Sequence, residues 1–275
     1  MTSLRPVRRF NWSNLGKRVM SAFVLAPLAL IGVGFGGWAF LILLAAAVAL
    51  LSHEWSMMSA PRAPVRVAVA IAITVIAAVI CAHLGRYELS WIIAVLAAGA
   101  CAVVARGAAQ RPEDAAFGVL YIAVPSIALI WLRASPQGLR WTILLLMVTW
   151  AADVGAFAVG SIVKGPKLWP RFSPNKTWSG FAGGLAAAII MSVVVTLVAK
   201  INMSLPAAAL MGLVGGLATM GGDLVESMLK RRFGVKDSGD LIPGHGGLLD
   251  RVDGLMFAIL AVAAARLIHL WGWAA

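Results

Sequence analysis

Residues 227–253 read SMLKRRFGVKDSGDLIPGHGGLLDRVD, and apolar runs lie on both sides of them. The stretch holds five of the 23 lysines and arginines of the 275-residue chain. More than half of the 11 acidic residues lie in it or just before it, namely Asp223, Glu226, Asp237, Asp240, Asp250 and Asp253. Because a bilayer makes each unneeded charge costly, opposed charges concentrated here predict a site for a charged, metal-bound substrate.

The composition indicates the class of protein. Hydrophobic residues make up 61% of the chain and charged residues only 12%, a balance that soluble domains of this length do not have. The net charge of +12 is carried by short segments between apolar runs, which is the positive-inside pattern and not that of a nucleic-acid-binding surface. Cys81 and Cys101 lie inside apolar runs and indicate neither a disulfide framework nor a thiolate metal site. We therefore predict an all-α polytopic membrane protein without a nucleic-acid partner.

Nine apolar runs are candidate transmembrane helices, since a span needs about 20 residues and a short or re-entrant one fewer. Gly34, Gly36 and Gly37 separate the first two runs, which could instead form one kinked hairpin in the bilayer. We expect the first span to be uncleaved, because the pattern of a signal peptide is not met. The nine runs are 19–35, 38–52, 67–84, 90–105, 117–132, 141–162, 179–199, 205–223 and 254–273.

The positions of the basic residues predict the orientation. With the N-terminus inside and nine alternating spans, most of the 23 lysines and arginines fall in inside segments. This bias predicts a cytoplasmic N-terminus, an outside C-terminus and two cytoplasmic loops, 163–178 and 228–250. We divide the chain into a basic cytoplasmic segment, 1–18, N-terminal helices, 19–140, and a catalytic C-terminal region, 141–275. The five outside exceptions are Arg86, Arg133, Arg140, Lys200 and Arg266.

A helix that continues the eighth span is expected to present polar residues on one face. Asp223, Glu226 or Ser227, and Lys230 recur at the spacing i, i+3 or i+4, and i+7. Asp223 follows an apolar run and a Gly-Gly pair, so it would lie at the inner membrane boundary as a functional candidate. For Glu226 the alternative is an ion pair with Lys230, worth roughly 0.2–0.5 kcal/mol.

The segment 236–247 contains four glycines and one proline and cannot be a continuous helix. Glycine lets the backbone approach a ligand closely and expose its N–H groups, which suits phosphate. A plain turn needs only one or two glycines, so the cluster of Gly244, Gly246 and Gly247 favours a phosphate-binding loop. His245 could donate to a phosphate or hydrogen-bond the loop itself.

Asp250, Arg251 and Asp253 open the ninth span. One carboxylate at a helix N-terminus is explained by the helix dipole. Two carboxylates three residues apart, facing Asp223 across a short loop, are more typical of Mg²⁺ ligands, because magnesium prefers carboxylate, water and phosphate oxygens.

A second polar cluster lies before the seventh span. Asp153 is a carboxylate within the sixth span, where it is either functional or a partner for a lysine. The lysines of this loop, including Lys176, could bind phosphate or follow the positive-inside rule and contact anionic lipid. By contrast, His53 and Glu54 end the second span, and we interpret them as a boundary pair that reaches toward water.

The C-terminal motifs closely resemble the phosphatidate cytidylyltransferase (CDP-diacylglycerol synthase) family. That family's signature runs Ser-x-apolar-Lys-Arg, Lys-Asp, Pro-x-His-Gly-Gly and Asp-Arg-x-Asp, and the turn Ser-Pro-x-Lys-Thr-Trp at 173–178 is also similar. The resemblance covers about 150–255, and the N-terminal half resembles the family weakly. The matching positions are Ser227, Lys230, Arg231, Lys236, Asp237, Pro243, His245, Gly246, Gly247, Asp250, Arg251 and Asp253.

The resemblance implies the reaction of CTP with phosphatidate to give CDP-diacylglycerol and pyrophosphate. It implies Mg²⁺ on Asp223 and Asp250, a second, monovalent cation such as K⁺ as a further candidate, and catalytic roles for Lys230 and Asp253. The protein would lie in the bacterial cytoplasmic membrane, with its active site facing the cytoplasm, and a homodimer is a candidate assembly. The implied substrate-binding residues are Asp153, Ser173, Lys176, Thr177, Ser227, Arg231, Lys236, Asp237, Gly244, His245, Gly246, Gly247 and Arg251.

The chain departs from the family pattern around the second cluster. Asn175 stands where a second lysine is usual, and Ser179 stands where an acid is usual. Two other functions are compatible with parts of the pattern. A CTP-dependent polyprenol or phytol kinase would transfer the γ-phosphate and release CDP, whereas a transporter would need inward-facing charges across several spans. The complete Asp-Arg-x-Asp motif favours the cytidylyltransferase.

Overall fold

The computed structural model describes residues 26–109, 111–170, 173–239 and 246–272. Within them the chain forms nine helices and one short antiparallel hairpin. The strands are β1 (Lys167–Trp169) and β2 (Ser173–Thr177). The helices are α1 (Ala26–Phe35), α2 (Gly37–Ser59), α3 (Pro64–His83), α4 (Tyr87–Val104), α5 (Glu113–Ala134), α6 (Gly138–Val163), α7 (Trp178–Val198), α8 (Leu205–Arg232) and α9 (Leu249–Leu270).

The helices confirm the predicted polytopic membrane fold. Eight of them, α2 to α9, are long and apolar enough to cross a membrane. The first predicted span is described only from Ala26. Its helix, α1, ends at Phe35, and Gly36, with a positive φ of 64°, separates α1 from α2. Large apolar side chains such as Ile42, Leu96 and Ile190 are exposed, as expected for residues that contact lipid.

Several helices extend beyond their apolar runs. The second predicted span ends at residue 52, whereas α2 continues to Ser59 and therefore contains Glu54. The eighth predicted span ends at Asp223, and α8 continues to Arg232, as the spacing of the polar residues after Asp223 predicted. The reason is that backbone hydrogen bonds hold a helix together after its side chains stop being apolar.

Contacts between helix ends sort the turns into two faces. On one face, which we call the site face, the backbone N–H of Arg62 donates to Ala108 O, and Arg232 at the end of α8 pairs with Asp114 at the start of α5. The site face holds the turns after α2, α4, α6 and α8. The opposite face holds the turns after α1, α3, α5 and α7, and there Arg133 on α5 donates to the carbonyl of Val33 at 2.7 Å. This sorting agrees with the predicted alternation, while the face that meets the cytoplasm stays a prediction.

The bundle has two apolar cores that meet along α5 and α9. One core packs α2, α3, α4 and α5 around residues such as Trp55 and Ile71. The other packs α6, α7, α8 and α9 around residues such as Trp141 and Leu144. Helices α6 and α7 approach closely because small residues face each other, and a Cβ built on Gly160 would lie 3.2 Å from Gly180 Cα.

The predicted loop between α6 and α7 contains a short β-hairpin. Lys167 lies opposite Thr177 and Trp169 opposite Ser173 in an antiparallel pair. The all-α prediction is thus correct for the spans but missed this hairpin, which is too short to leave an alternating pattern in the sequence. The hairpin lies on the site face, where Lys176 reaches Asp223 on α8.

Candidate active site

Helices α8 and α9 cross closely at two glycines on the site side of the bundle. A Cβ built on Gly254 would lie 2.8 Å from Asp223 Oδ1, and one built on Gly222 would lie 2.6 Å from the carbonyl oxygen of Asp253. Since no side chain separates the two backbones here, the carboxylates of Asp223 and Asp253 come from facing positions on two helices. Of the two carboxylates expected to face Asp223, the structure places Asp253 opposite it, and Asp250 contacts Lys230.

Lys230 lies at the centre of the buried charges. Its Nζ is 2.6 Å from Glu226 Oε2, one turn earlier on α8, and 2.5 Å from Asp250 Oδ1 on α9. The side chains of Lys230, Glu226 and Asp250 are 13%, 1% and 6% exposed. The predicted pair of Glu226 with Lys230 therefore exists, but burial and the second carboxylate make it part of a site rather than a surface contact.

Asp250 is held by the loop as well as by Lys230. Its Oδ2 accepts hydrogen bonds from the backbone N–H of Ser238, the hydroxyl of Ser238 and the backbone N–H of Gly247, each at 3.0 Å. A Cβ built on Gly246, where φ is 82°, would lie 2.8 Å from the same oxygen. The glycines at 246 and 247 thus allow the loop to close around a carboxylate, and the N–H of Gly247 serves Asp250.

The hairpin contributes a second lysine to the site. Lys176 Nζ is 2.8 Å from Asp223 Oδ2, and the two side chains are 34% and 23% exposed. Asp153 on α6 is within electrostatic range of this pair and of Arg251. The structure therefore brings together residues that the sequence placed in two separate clusters.

Two predicted substrate-binding residues, Ser173 and Thr177, lie in strand β2 of the hairpin. Thr177 is the N-cap of α7, and its Oγ1 accepts a hydrogen bond from the N–H of Gly180 at 3.1 Å. Ser179, where the family usually has an acid, donates its hydroxyl to the carbonyl of Lys164 and closes the base of the hairpin. Ser173 begins β2. Their contacts with substrate stay predictions.

The remaining predicted residues lie in the last turns of α8 or in the turn after it. Ser227 is half-buried on α8, and the exposed Arg231 donates to the carbonyl of Val235 at 3.2 Å. Lys236 and Asp237 are exposed in the turn that follows. The predicted residues Gly244 and His245 lie outside the described residues.

Glu54 corrects one interpretation made from the sequence. We interpreted it as a boundary residue reaching toward water, whereas its side chain is 1% exposed. Its Oε1 accepts the N–H of Leu248 and its Oε2 the N–H of Leu249, both at 2.7 Å. The interpretation was wrong because α2 continues past its apolar run, so that Glu54 reaches the start of α9 rather than the solvent.

The donors of the site fit a hard divalent cation in their chemistry. Five carboxylates lie near three cationic side chains: Asp153, Asp223, Glu226, Asp250 and Asp253 with Lys176, Lys230 and Arg251. Glu226 and Asp253 lie side by side in a buried setting, which a positive charge would stabilise. Within the described ranges, no three His, Cys, Asp or Glu side chains converge on one metal position. A Mg²⁺ ion here would therefore use one or two carboxylates and complete its shell with water and phosphate, as is usual for magnesium.

Comparison with known proteins shows the family. The sequence pattern of the Cytidylyltransferase family matches residues 16–269. The chain is 38% identical over 263 residues to the phosphatidate cytidylyltransferase of Brucella suis biovar 1 (strain 1330), covering 94% of each protein. It is 41% identical over 147 residues to the phosphatidate cytidylyltransferase of Staphylococcus saprophyticus subsp. saprophyticus (strain ATCC 15305), covering 53% of this chain and 56% of that one.

These comparisons lend no support to the kinase or transporter alternatives. The resemblance that we found in the C-terminal motifs extends through the N-terminal helices, because the Brucella alignment covers 94% of this chain. With opposed charges gathered at one end of a multi-pass helical bundle, the protein is a nucleotidyltransferase, and the chain belongs to the cytidylyltransferase family.

Proposed function

We propose that this protein condenses CTP with phosphatidate to form CDP-diacylglycerol and pyrophosphate. The observation that carries the proposal is the set of ion pairs at the site face, in which Lys176, Lys230 and their carboxylate partners come from the hairpin, α8 and α9. A phosphate oxygen can replace a carboxylate as the partner of a lysine, so the same groups can hold substrate. The two relatives, both phosphatidate cytidylyltransferases, support this choice of substrates.

The reaction needs positioning and charge neutralisation. A phosphate oxygen of phosphatidate attacks the α-phosphorus of CTP, a new P–O bond forms, and the bond from that phosphorus to the bridging oxygen breaks. The electron pair leaves with pyrophosphate. Because the nucleophile is already an anion, no activated Ser or Cys is required. Lys176, Lys230 and Arg251 would hold the phosphates against their mutual repulsion.

Asp223 and Asp250 would hold Mg²⁺, and Asp253 would support them from beside Asp223. When bound, the ion supplies neutralisation of phosphate charge and orientation of phosphate oxygens. Asp223 presents Oδ1 toward the α8–α9 crossing while Oδ2 contacts Lys176. A monovalent cation such as K⁺ is a further proposal, and measuring product formation with and without K⁺ tests it.

An apolar cavity supports a lipid substrate. It has a volume of about 370 Å³ and lies among α1, α2, α5, α6 and α9. Leu248 and Arg251 line it beside apolar residues such as Leu44 and Leu129. The chain can therefore receive a hydrocarbon tail within the bundle while the attached phosphate stays near Arg251.

We place the protein in the bacterial cytoplasmic membrane, with the site face toward the cytoplasm. The sources of the relatives and the excess of lysine and arginine in the predicted inside segments support this placement. It also gives the site access to CTP. Homodimer formation stays a prediction of the sequence.

Labelled CTP tests the reaction. The purified protein is incubated with phosphatidate, Mg²⁺ and CTP labelled at either the α- or the γ-phosphorus. We expect the α-label in the lipid product and the γ-label in pyrophosphate. Transfer of the γ-label to lipid would indicate a kinase and overturn the proposal, as would the absence of nucleotide turnover by a folded protein.

The variant Asp250→Asn tests the role of the buried carboxylate. We expect product formation to fall by at least about 100-fold, the scale of removing one transition-state-stabilising group. Because the new NH₂ group would face Lys230 or the loop N–H groups, some loss of stability is expected, and activity is therefore expressed per amount of folded protein. Near-normal activity in this variant would sink the assignment of Asp250 as a metal ligand.

A further inference from the structure

Glu54 is a buried carboxylate that the reaction described above does not use. It belongs to α2, in the N-terminal half, whereas its three hydrogen-bond partners lie 184 to 195 residues later in the chain. With 1% of its surface exposed, its charge has been removed from solvent, which is costly unless its oxygens are well satisfied. The described structure gives both oxygens donors.

Two of these donors belong to the start of α9. The first turn of a helix leaves backbone N–H groups without partners inside the helix, and a capping side chain usually satisfies them. Here the residue before α9 is Leu248, which has no polar side chain, and the N–H groups of Leu248 and Leu249 donate to Glu54 instead. The cap of α9 therefore comes from another helix, and its negative charge also suits the helix dipole.

The third donor connects Glu54 with Asp250. The hydroxyl of Ser238 lies 3.3 Å from Glu54 Oε2 and 3.0 Å from Asp250 Oδ2. A hydroxyl has only one proton, so Ser238 shares it between two carboxylates. A Cβ built on Gly247 would lie 2.7 Å from Glu54 Oε2, so the loop is closed tightly over Glu54. The loop that holds Asp250 is thus held in turn by Glu54.

We infer that Glu54 is a positioning residue of the active site: it fixes the start of α9 and the loop at Ser238 so that Asp250 keeps the orientation that the reaction needs. This inference rests on the proposed function for its effect on turnover, while its structural part stands on the hydrogen bonds alone. Glu54 touches no reacting atom, and its influence passes through Leu248, Leu249 and Ser238.

The variant Glu54→Gln tests the inference. It keeps the shape of the side chain but replaces one accepting oxygen by an NH₂ group, which would face an N–H of the α9 cap. We expect kcat to fall by about 10- to 100-fold, the usual cost of losing a residue that orients a metal ligand. The KM for CTP should change by less than about threefold, because the lost interaction acts on the chemical step. The matched control is Glu88→Gln, an exposed glutamate on α4, which should leave both constants unchanged.

A second measurement does not depend on turnover. Hydrogen–deuterium exchange of the backbone, without substrate or Mg²⁺, should be faster at the start of α9 in Glu54→Gln, and the rest of the bundle should exchange as before. Glu54→Asp keeps both oxygens on a shorter side chain and should recover part of the protection and part of kcat. Unchanged exchange together with unchanged kcat in Glu54→Gln would overturn the inference.

Ser238→Ala keeps the inference falsifiable if Glu54→Gln does not fold. It removes the shared hydroxyl and leaves the cap of α9 intact. We expect a fall in kcat of about tenfold, at the lower end of the range for orienting residues, with normal exchange at the start of α9. Full activity of Ser238→Ala would show that Glu54 acts only as a cap and would overturn the positioning role. If the unchanged protein is inactive with CTP and phosphatidate, the proposed function fails, whereas the exchange result still decides the structural part.

Discussion

The two faces of the bundle differ in their ion pairs: within the described residues all four lie on the site face, where Arg66 and Arg231 also donate to backbone carbonyls. On the opposite face, Arg133, Arg140 and Arg266 each donate to a backbone carbonyl of another segment, at Val33, Lys200 and Pro136. On the site face, Lys176 and Lys230 pair with the carboxylates of Asp223, Glu226 and Asp250.

The difference teaches what each set of cations can do. A carbonyl at the end of a helix is fixed in place and lacks an intrahelical partner, so an arginine bound to it fastens one helix end to another. A carboxylate is an anion that a phosphate can replace as the partner of a lysine, so a lysine bound to it stays available for substrate. Three of the exceptions to the positive-inside bias are therefore structural. Variants at either face test this difference.

Lys230→Met should have the largest effect on stability. Without the ammonium group, the buried carboxylates of Glu226 and Asp250 face each other uncompensated, and breaking such a buried pair costs about 3–5 kcal/mol. The measurement is reversible denaturation in detergent without Mg²⁺, since a bound ion would replace the lost charge. A loss below about 1 kcal/mol, the range of exposed ion pairs, would contradict the buried charge arrangement.

Arg266→Met should have an intermediate effect on stability and no effect on turnover. Arg266 is 3% exposed, donates to Pro136 O at 2.5 Å and lies 4.9 Å from the Trp141 ring centroid. We expect the free energy of unfolding to fall by about 1–3 kcal/mol, the worth of one hydrogen bond from a charged group. Arg140→Met, an exposed arginine on the same face, is the matched control and should lose less. A fall in kcat for the folded Arg266 variant would contradict the assignment of this face to structure.

Lys176→Met should have the smallest effect on stability and a clear effect on turnover. Its pair with Asp223 is partly exposed, so its loss should change stability by less than about 1 kcal/mol. The value of kcat/KM should fall by about 10- to 100-fold, because one charge-assisted hydrogen bond to phosphate is removed. Lys200→Met, an exposed lysine on the opposite face, should leave kcat/KM unchanged. Equal activity of the two variants would remove the distinction between the faces.

The sequence was sufficient for the eight spans α2 to α9 and for most of the charged residues that the structure gathers at the site face. Long apolar runs are the strongest signal in a sequence, and the stretch from Ser227 to Asp253 differs in composition from everything around it. The spacing of Glu226 and Lys230 also predicted their pair correctly, since it depends only on helix geometry. The N-cap role of Thr177 had a signal as well, because a threonine directly before an apolar run is typical of a helix start.

Other features could not be predicted because they depend on contacts between distant segments. Nothing in the neighbourhood of Glu54 indicates that its partners are Leu248 and Leu249, and a glutamate at the end of a span is usually explained by water. The second partner of Lys230 likewise requires knowing how α8 and α9 cross. The hairpin at 167–177 was missed because three residues of strand carry too little pattern.

The cap of α9 has a consequence for how the protein is made. A ribosome produces Glu54 first and its partners 194 and 195 residues later, so the carboxylate is delivered to the membrane long before α9 exists. During that interval the two N–H groups that satisfy it are not yet present. The finished chain supplies them, and the hydroxyl of Ser238 then meets both Glu54 and Asp250. The surroundings of Asp250 are therefore complete only when the last helix has been made.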